Sequence, residues 1–510
     1  MTIDQTQKNN CKYKLLSFNS ASNVEDLLHE KNPEEGLVRI QALLSRWMRM
    51  ENMVVLAAAG CSVDEGGKLM AGPKKSNLEN SVLGVVEKCE ISKEAKEIIS
   101  WKKVNDKSES GNFEKWLSYL FNAKSLAEGA KSPIQNIIWK SPLLKDKTGH
   151  LSLSSDNTKN LCDYIEKAVF CESALQLKVG GFADKRRKIS AHIPFLAKVI
   201  ARDSQLGRTH LFTLNYDTLF EQAMDELGIQ YHDGFTGKSS ARFDPSGYGL
   251  DIHYPGDAVQ GRVRRLDKFI HLYKLHGSIH WFDEGGIYKA RHGDLSGYQK
   301  YQNSTLSEKA HLLLNEPFKS IQPFGIMPTS QKFTQTLEAP YAHLFRLFHS
   351  RLNQPQTFLM ILGYGFGDDH VNRIIDTALT NPSLVMLVVE PNCNSNTVKR
   401  MKQYQKIGQR VFVLTCSDNA DNKPYKVATF ADFANEIMPN IKWMDDYMNL
   451  RDYEEKILKK QETSKKDNNQ DQKIKQDADA AQTAQTASEE YEKGESGGSD
   501  EDRDPREDYR

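Results

Sequence analysis

A chain of 510 residues is long enough for roughly two to four domains and can bury a large core. Lys+Arg and Asp+Glu are equal at 68 each, so no overall field draws the protein to nucleic acid, a membrane surface or an acidic partner. The seven cysteines (Cys11, Cys61, Cys89, Cys162, Cys171, Cys393, Cys416) are scattered, odd in number and without a C-x-x-C pair, which fits reduced thiols and argues against a disulfide framework or a zinc ribbon. The start, MTIDQTQKNNCKYKLL, has no apolar signal segment, and no run approaches the eighteen or so apolar residues of a membrane span. The expectation is a soluble, cytoplasmic protein with no membrane partner.

Residues 1–50 read as a polar arm or short peripheral element to about residue 30, then a helix over 35–50 whose Leu37, Ile40, Leu43, Leu44 and Trp47 share one face. Residues 53–59 are a continuous apolar strand ending in Gly60-Cys61-Ser62, as expected for a parallel strand buried on both faces. The span of about 74–207 reads as a mainly helical insertion, with spacings of three and four over 113–120 and 161–177 and a polar, poorly patterned connection over 145–157. Alternation then resumes: strand 210–214, helix 216–227, strand 269–275, strand 358–362 with a helix after Asp368, strand 384–389 with a helix after Asn394, and strand 411–414. Short apolar strands alternating with helices predict an α/β fold, a Rossmann-like parallel sheet within residues 51–445 carrying the helical insertion. From residue 446 to 510 the chain turns to Lys, Glu, Gln, Asp and Ser and is expected to be a mostly disordered tail, with a short helix around 453–460.

Ligands of open parallel sheets bind beyond the carboxyl ends of the strands, where four segments fall. Ala58-Ala59-Gly60-Cys61-Ser62 is either a tight packing turn or a phosphate-binding turn with Ser62 as an extra donor; it is not a G-x-G-x-x-G fingerprint. Thr213-Leu214-Asn215-Tyr216-Asp217 offers polar groups that either cap the next helix or meet a ligand. His276, in Lys274-Leu275-His276-Gly277-Ser278, is either a core imidazole or a general base. Gly363-Tyr364-Gly365-Phe366-Gly367-Asp368-Asp369 ends the fourth. Asp368, Asp369 and His370 imitate a metal cluster, but acids at a helix start are explained by the macrodipole, and no metal is expected. Cys61 reads as small apolar packing.

In this order the four segments resemble the sirtuin superfamily, whose hallmarks are a G-A-G-x-S turn, T-x-N-x-D, L-H-G and a late glycine-rich strand end. The resemblance spans about residues 50–440, with Ala58 in place of the first motif glycine. The forms T-x-N-Y-D, K-L-H-G-S and G-Y-G-F-x-D-D, with Phe113-Glu114-Lys115-Trp116-Leu117, look like the bacterial sirtuin-like NADases of antiphage defence. The four-cysteine zinc module and the G-I-P-D-F-R loop of protein deacetylases are missing; the loop runs from Val63 to Pro73 as VDEGGKLMAGP.

The resemblance implies NAD⁺ as substrate and cleavage of its nicotinamide-ribose bond. It assigns Asn215 to orienting ribose and water, His276 to the base, and Asp217 to contacts near the nicotinamide amide, with Thr213 in the same binding set. It also places Ala59, Gly60 and Ser62 at the diphosphate and Gly363 with Tyr364 along the nucleotide. Glu390, at a strand end, is either a solvated carboxylate or the acceptor for adenosine ribose hydroxyls, with Asn392 beside it. The same resemblance implies a homo-oligomer that is latent until a partner acts, the nearest comparison being the Sir2 subunit that assembles with a HerA-type hexameric P-loop ATPase and DNA translocase. The chain has no P-loop signature, so ATP use falls to that partner. The alternatives are an NAD-dependent deacylase or ADP-ribosyltransferase, and a non-catalytic subunit binding NAD or ADP-ribose. Direct nucleic-acid binding has only the basic stretch Arg262-Val263-Arg264-Arg265, which reads as a solvated loop.

Overall fold

The apolar runs have no polar face, so each must be covered on both sides. In the computed structural model they lie side by side in one sheet. The structure describes residues 12–440 except 19–23, 29–32, 71–76, 105–112, 128–135, 141–149, 180–188, 238–239, 260–261, 291–295, 316–323, 330–335, 408–409 and 418–427. The tail expected over 446–510 lies outside the described residues.

The sheet strands in chain order are β1 (Tyr13–Phe18), β2 (Val24–Asp26), β3 (Asn52–Ala57), β4 (Thr209–Thr213), β5 (Gln230–His232), β6 (Phe269–Lys274), β7 (Thr357–Leu362), β8 (Val385–Glu390) and β9 (Val411–Cys416). Their spatial order is β2-β1-β9-β8-β7-β3-β4-β6-β5. From β9 to β5 every pairing is parallel. β1 and β2 add an antiparallel edge, with Tyr13 opposite Cys416 and Ser17 opposite Phe412. Residues 13–18 therefore form a short element at the margin of the sheet and not a free arm.

The helices are α1 (Pro33–Met48), α2 (Leu78–Val86), α3 (Lys93–Val104), α4 (Phe113–Ala127), α5 (Ser155–Glu172), α6 (His192–Ile200), α7 (Leu219–Leu227), α8 (Ser296–Gln302), α9 (Leu306–Leu314), α10 (Tyr341–Leu352), α11 (Asp369–Ala378) and α12 (Asn396–Met401), and some of them cover each face of the sheet. Strand alternation divides the core. Met53, Val55 and Ala57 of β3 and Phe358, Met360 and Leu362 of β7 pack with α1, α6 and α7, whereas Val54, Leu56, Leu359 and Ile361 pack with α10 and α11. A third core, built around Phe113, Trp116, Leu120, Leu161 and Ile165, joins α2 to α5 with α8 and α9. The insertion also contains an antiparallel ribbon, Asn136–Lys140 against His150–Ser154, where a polar connection is expected from sequence. Its last helix, α6, gives Phe195 and Leu196 to the core of the main sheet.

The basic stretch is a strand, Arg262–Arg265, paired with His253–Val259, and Arg265 contacts Asp251 at 2.8 Å. It is a hairpin arm, not a loop. The described cysteines are all free thiols, and no described helix is long and apolar enough to cross a membrane.

His192 opens α6 with its ring edge-on to Phe220 and Phe430, centroids 4.8 and 5.0 Å away. Neither ring nitrogen has a partner, and burial pushes its pKa down to about 3. The unfolded chain binds a proton there near pH 6.5 and the folded chain does not. Stability is therefore present above that pH and lost as pH falls towards 3, by about 2 kcal/mol at pH 5 from this ring alone. The expected result is that His192→Phe narrows the drop in Tm between pH 7.5 and pH 5; an unchanged drop in the variant contradicts it.

Candidate active site

β3 is the point at which strand order reverses: β4 lies on one side of it and β7 on the other. The two backbones continue to touch beyond their strands. Ala58 N–H donates to Leu362 O and Gly60 N–H to Gly363 O, both at 3.0 Å. A Cβ on Gly60 would sit 2.6 Å from Gly363 Cα, and one on Gly363, whose φ is 62°, would sit 2.6 Å from Cys61 N. Both positions therefore require glycine, and the crevice expected of an open α/β sheet forms where they cross.

A cavity of about 350 Å³ occupies that crevice, within the usual range for small-molecule sites. Ala59 and Ser62 line it from the turn after β3, Asn215 and Asp217 from the segment after β4, His276 from the end of β6, and Gly363 and Tyr364 from the segment after β7. Leu69, Met70, Leu78, Leu175 and Pro328 close its apolar side. All four segments singled out by sequence thus meet in one chamber. Gly60 supports the wall through its bond to Gly363, and Thr213 accepts the Asn215 N–H on Oγ1 at 3.1 Å. Glu390 and Asn392 are not on the wall: Glu390 Oε1 accepts the Asn392 N–H at 3.0 Å and closes its own turn, while burial raises its pKa. Cys61 turns its thiol to Leu362 O at 3.4 Å, and burial pushes the thiol up, away from the reactive thiolate.

The orientation of Asn215 is fixed by elimination. Its Nδ2 lies 3.2 Å from Ala58 O and 2.9 Å from Ser62 Oγ. A carbonyl only accepts, so the amide nitrogen belongs on that side and donates both hydrogens, leaving Oδ1 as the atom for a ligand. Ser62, having accepted from Asn215, donates its single hydrogen to Asp217 Oδ2 at 2.7 Å. Asp217 Oδ1 accepts the Leu219 N–H at 3.2 Å. With both oxygens accepting, this network needs Asp217 as the carboxylate.

Helix α7 begins at Leu219, whose N–H is held by Asp217 Oδ1, three residues later than sequence periodicity places it. Ser62, expected as a donor to phosphate, instead has its hydroxyl hydrogen on Asp217.

Sequence reasoning missed the cation behind this network. Lys274, 1 % exposed, donates Nζ to Asp217 O and pairs with Glu221 Oε1 at 3.0 Å. Burial raises the pKa of Asp217 and of Glu221, and Lys274 pulls both back down. The available signal was a lysine closing a strand whose six residues are all buried, since such a charge needs a carboxylate nearby. From sequence Asp368 is only an acid favoured at a helix start, and the structure makes it the cap of α11. It accepts His370 and Val371 N–H groups on Oδ1 at 3.1 and 3.3 Å, but its Oδ2 also faces His276 Nε2 at 3.4 Å. His370 packs edge-on to Phe345 at 4.5 Å. Among the described residues no cluster of three or more His, Cys, Asp or Glu is arranged to hold a metal.

Lys274→Met leaves two buried carboxyls without their cation, a loss of about 3 kcal/mol or more at neutral pH. Their folded pKa values then rise further above the unfolded values, so the deficit against wild type grows as pH increases from 5 to 8. Urea denaturation at both pH values measures it; an equal deficit at both contradicts the charge assignment.

No curated protein matches the chain. Residues 209–411 match the family model of the SIR2-like domain, from β4 to the start of β9. The match includes Asn215, Asp217, His276 and Gly363 but not the Gly60 turn, which the sheet brings to the same crevice. Over that stretch, less than half of its length, the chain is thus similar to SIR2-like domains, which use NAD⁺.

Proposed function

We propose that this protein is an NAD⁺ glycohydrolase that breaks the nicotinamide-ribose bond. The observation that carries the reading is the Asn215 amide, locked by Ala58 O and Ser62 with its Oδ1 left for a ligand, in one chamber with His276. Asn215 Oδ1 accepts a hydrogen from the ribose hydroxyl or from the attacking water, and His276 takes the proton. The water oxygen bonds to the ribose anomeric carbon as the carbon-nitrogen bond breaks. The bonding pair passes to the nicotinamide ring, which leaves neutral. The transition state has oxocarbenium character, as in other glycoside hydrolyses.

Support for hydrolysis over acyl transfer comes from sequence: the deacetylase zinc cysteines and substrate loop are absent. By the same resemblance we propose a homo-oligomer acting in antiphage defence, held latent and switched by a HerA-type ATPase partner, since an unrestrained NADase depletes its own cell.

The test is NAD⁺ consumption by purified protein without acceptor, alone and with a candidate ATPase partner. Asn215→Ala and His276→Ala are each expected to lower turnover by about 10²-fold or more. Consumption only on addition of an acylated or ADP-ribose-accepting protein assigns the transferase reading, and binding without turnover assigns the regulatory one. Full activity in either variant removes that residue from the chemistry. Activity is lost as pH falls through the Asp217 pKa, so its acid limb lies above the usual carboxylate value of about 4. A pH profile flat down to 4 contradicts the requirement for ionised Asp217.

A further inference from the structure

The two ring nitrogens of His276 stand in different surroundings. Nε2 is fully buried with no hydrogen-bond partner, and the carboxylate oxygen Asp368 Oδ2 lies 3.4 Å from it. Nδ1 is not among the buried orphans, and the ring lines the cavity, so Nδ1 carries the residual solvent contact. Asp368 is firmly placed: Oδ1 caps α11 through His370 and Val371, and its backbone oxygen accepts the Tyr364 hydroxyl at 3.1 Å. Asn372 ties down the same segment, its Oδ1 sharing that single Tyr364 hydrogen at 2.9 Å and its Nδ2 donating to Phe366 O at 3.0 Å. Phe366 is held there at φ 55°, in the left-handed region, so the segment is bolted in place and not draped over the cavity.

We propose that Asp368 is a positioning residue that selects the tautomer of His276, holding the proton on Nε2 so that Nδ1 faces the chamber as the base. A carboxylate only accepts, so the ring nitrogen facing it is stabilised as N–H, and the other nitrogen keeps its lone pair. A separation of 3.4 Å is long for such a bond, and catalytic hydrogen bonds of this kind commonly tighten only with substrate bound. When Nδ1 takes the proton from water or a ribose hydroxyl, the imidazolium forms against the Asp368 charge. His370, the other titratable ring beside Asp368, is packed on Phe345, and burial lowers its pKa. The proposal deepens the NADase reading and rests on it for the role of His276 as base, but the tautomer itself is measurable without any reaction.

Asp368→Asn separates the two jobs of this residue. Asparagine caps a helix as well as aspartate, so Oδ1 keeps α11 in place. Its amide nitrogen donates, which forces the proton of His276 to Nδ1 and removes the base from the chamber. The expected results are a switch from the Nε2–H to the Nδ1–H tautomer of His276 in ¹⁵N ring NMR, and a fall in kcat of about 10²-fold with KM for NAD⁺ within about 2-fold. Asp368→Ser also keeps a cap but supplies no carboxylate, and is expected to fall less than Asp368→Asn. If the Asp368→Asn chain, shown folded by an unchanged Tm, keeps the Nε2–H tautomer, or if kcat is unchanged, the positioning role is overturned. If wild type shows the Nε2–H tautomer but consumes no NAD⁺ either alone or with the ATPase partner, the glycohydrolase reading fails while the Asp368 assignment stands.

Discussion

Everything at the candidate site depends on two backbones passing at a distance only glycine allows. The Gly60 N–H to Gly363 O bond carries the β3–β7 pairing one step beyond the sheet, and the close approach leaves no room for a Cβ on either residue. Below this crossing β3 and β7 pair in register from Asn52 opposite Thr357 to Ala57 opposite Leu362. Above it the chains part, one into the turn that carries Ser62 and the other into the segment that carries Asp368. Ser62 and Asp368 reach their partners Asn215 and His276 because those two exits are fixed.

A second constraint is electrostatic and lies one layer deeper. Asp217 is buried, and its usefulness as an acceptor for Ser62 requires that it keep its charge in surroundings that oppose charge. Lys274 supplies the opposing charge from the end of β6, two residues before His276. One strand end therefore holds both the cation that sets the Asn215 network and the imidazole across the chamber. The price of placing a lysine inside a two-sided sheet is met by Glu221 and by the backbone oxygen of Asp217.

The strands were legible because a parallel strand covered on both faces has no polar positions to confuse the pattern, as in Phe358-Leu359-Met360-Ile361-Leu362. β1 was not: Tyr13-Lys14-Leu15-Leu16-Ser17-Phe18 lies one strand in from the sheet edge with Lys14 and Leu16 only partly buried, so it looks like the polar chain around it. Asn215 and His276 were found by the order of motifs, but their partners were not. Ser62 and Asp217 are 155 residues apart, and no local rule connects a serine after one strand with an aspartate after another. Asp368 illustrates the opposite failure: the local rule for helix starts explained one carboxylate oxygen correctly and hid the other. Glu390 sits at a strand end as expected, but its side chain is used within its own turn.

The charges around the chamber agree with the proposed chemistry in a way that no single residue does. Glu114, Asp217 and Asp368 line the chamber with Lys68; Lys274 and Glu221 form an ion pair behind it, and in the proposed chemistry His276 is the group whose charge changes. The substrate ring is a cation, and the ribose becomes one at the transition state, so a net negative wall favours both over bulk water, where the same carboxylates would be screened. Once the bond breaks, nicotinamide is neutral and that attraction is gone. An excess of buried carboxylate over buried cation, a liability for stability, therefore suits the proposed release of a neutral base from a cationic nicotinamide-ribose.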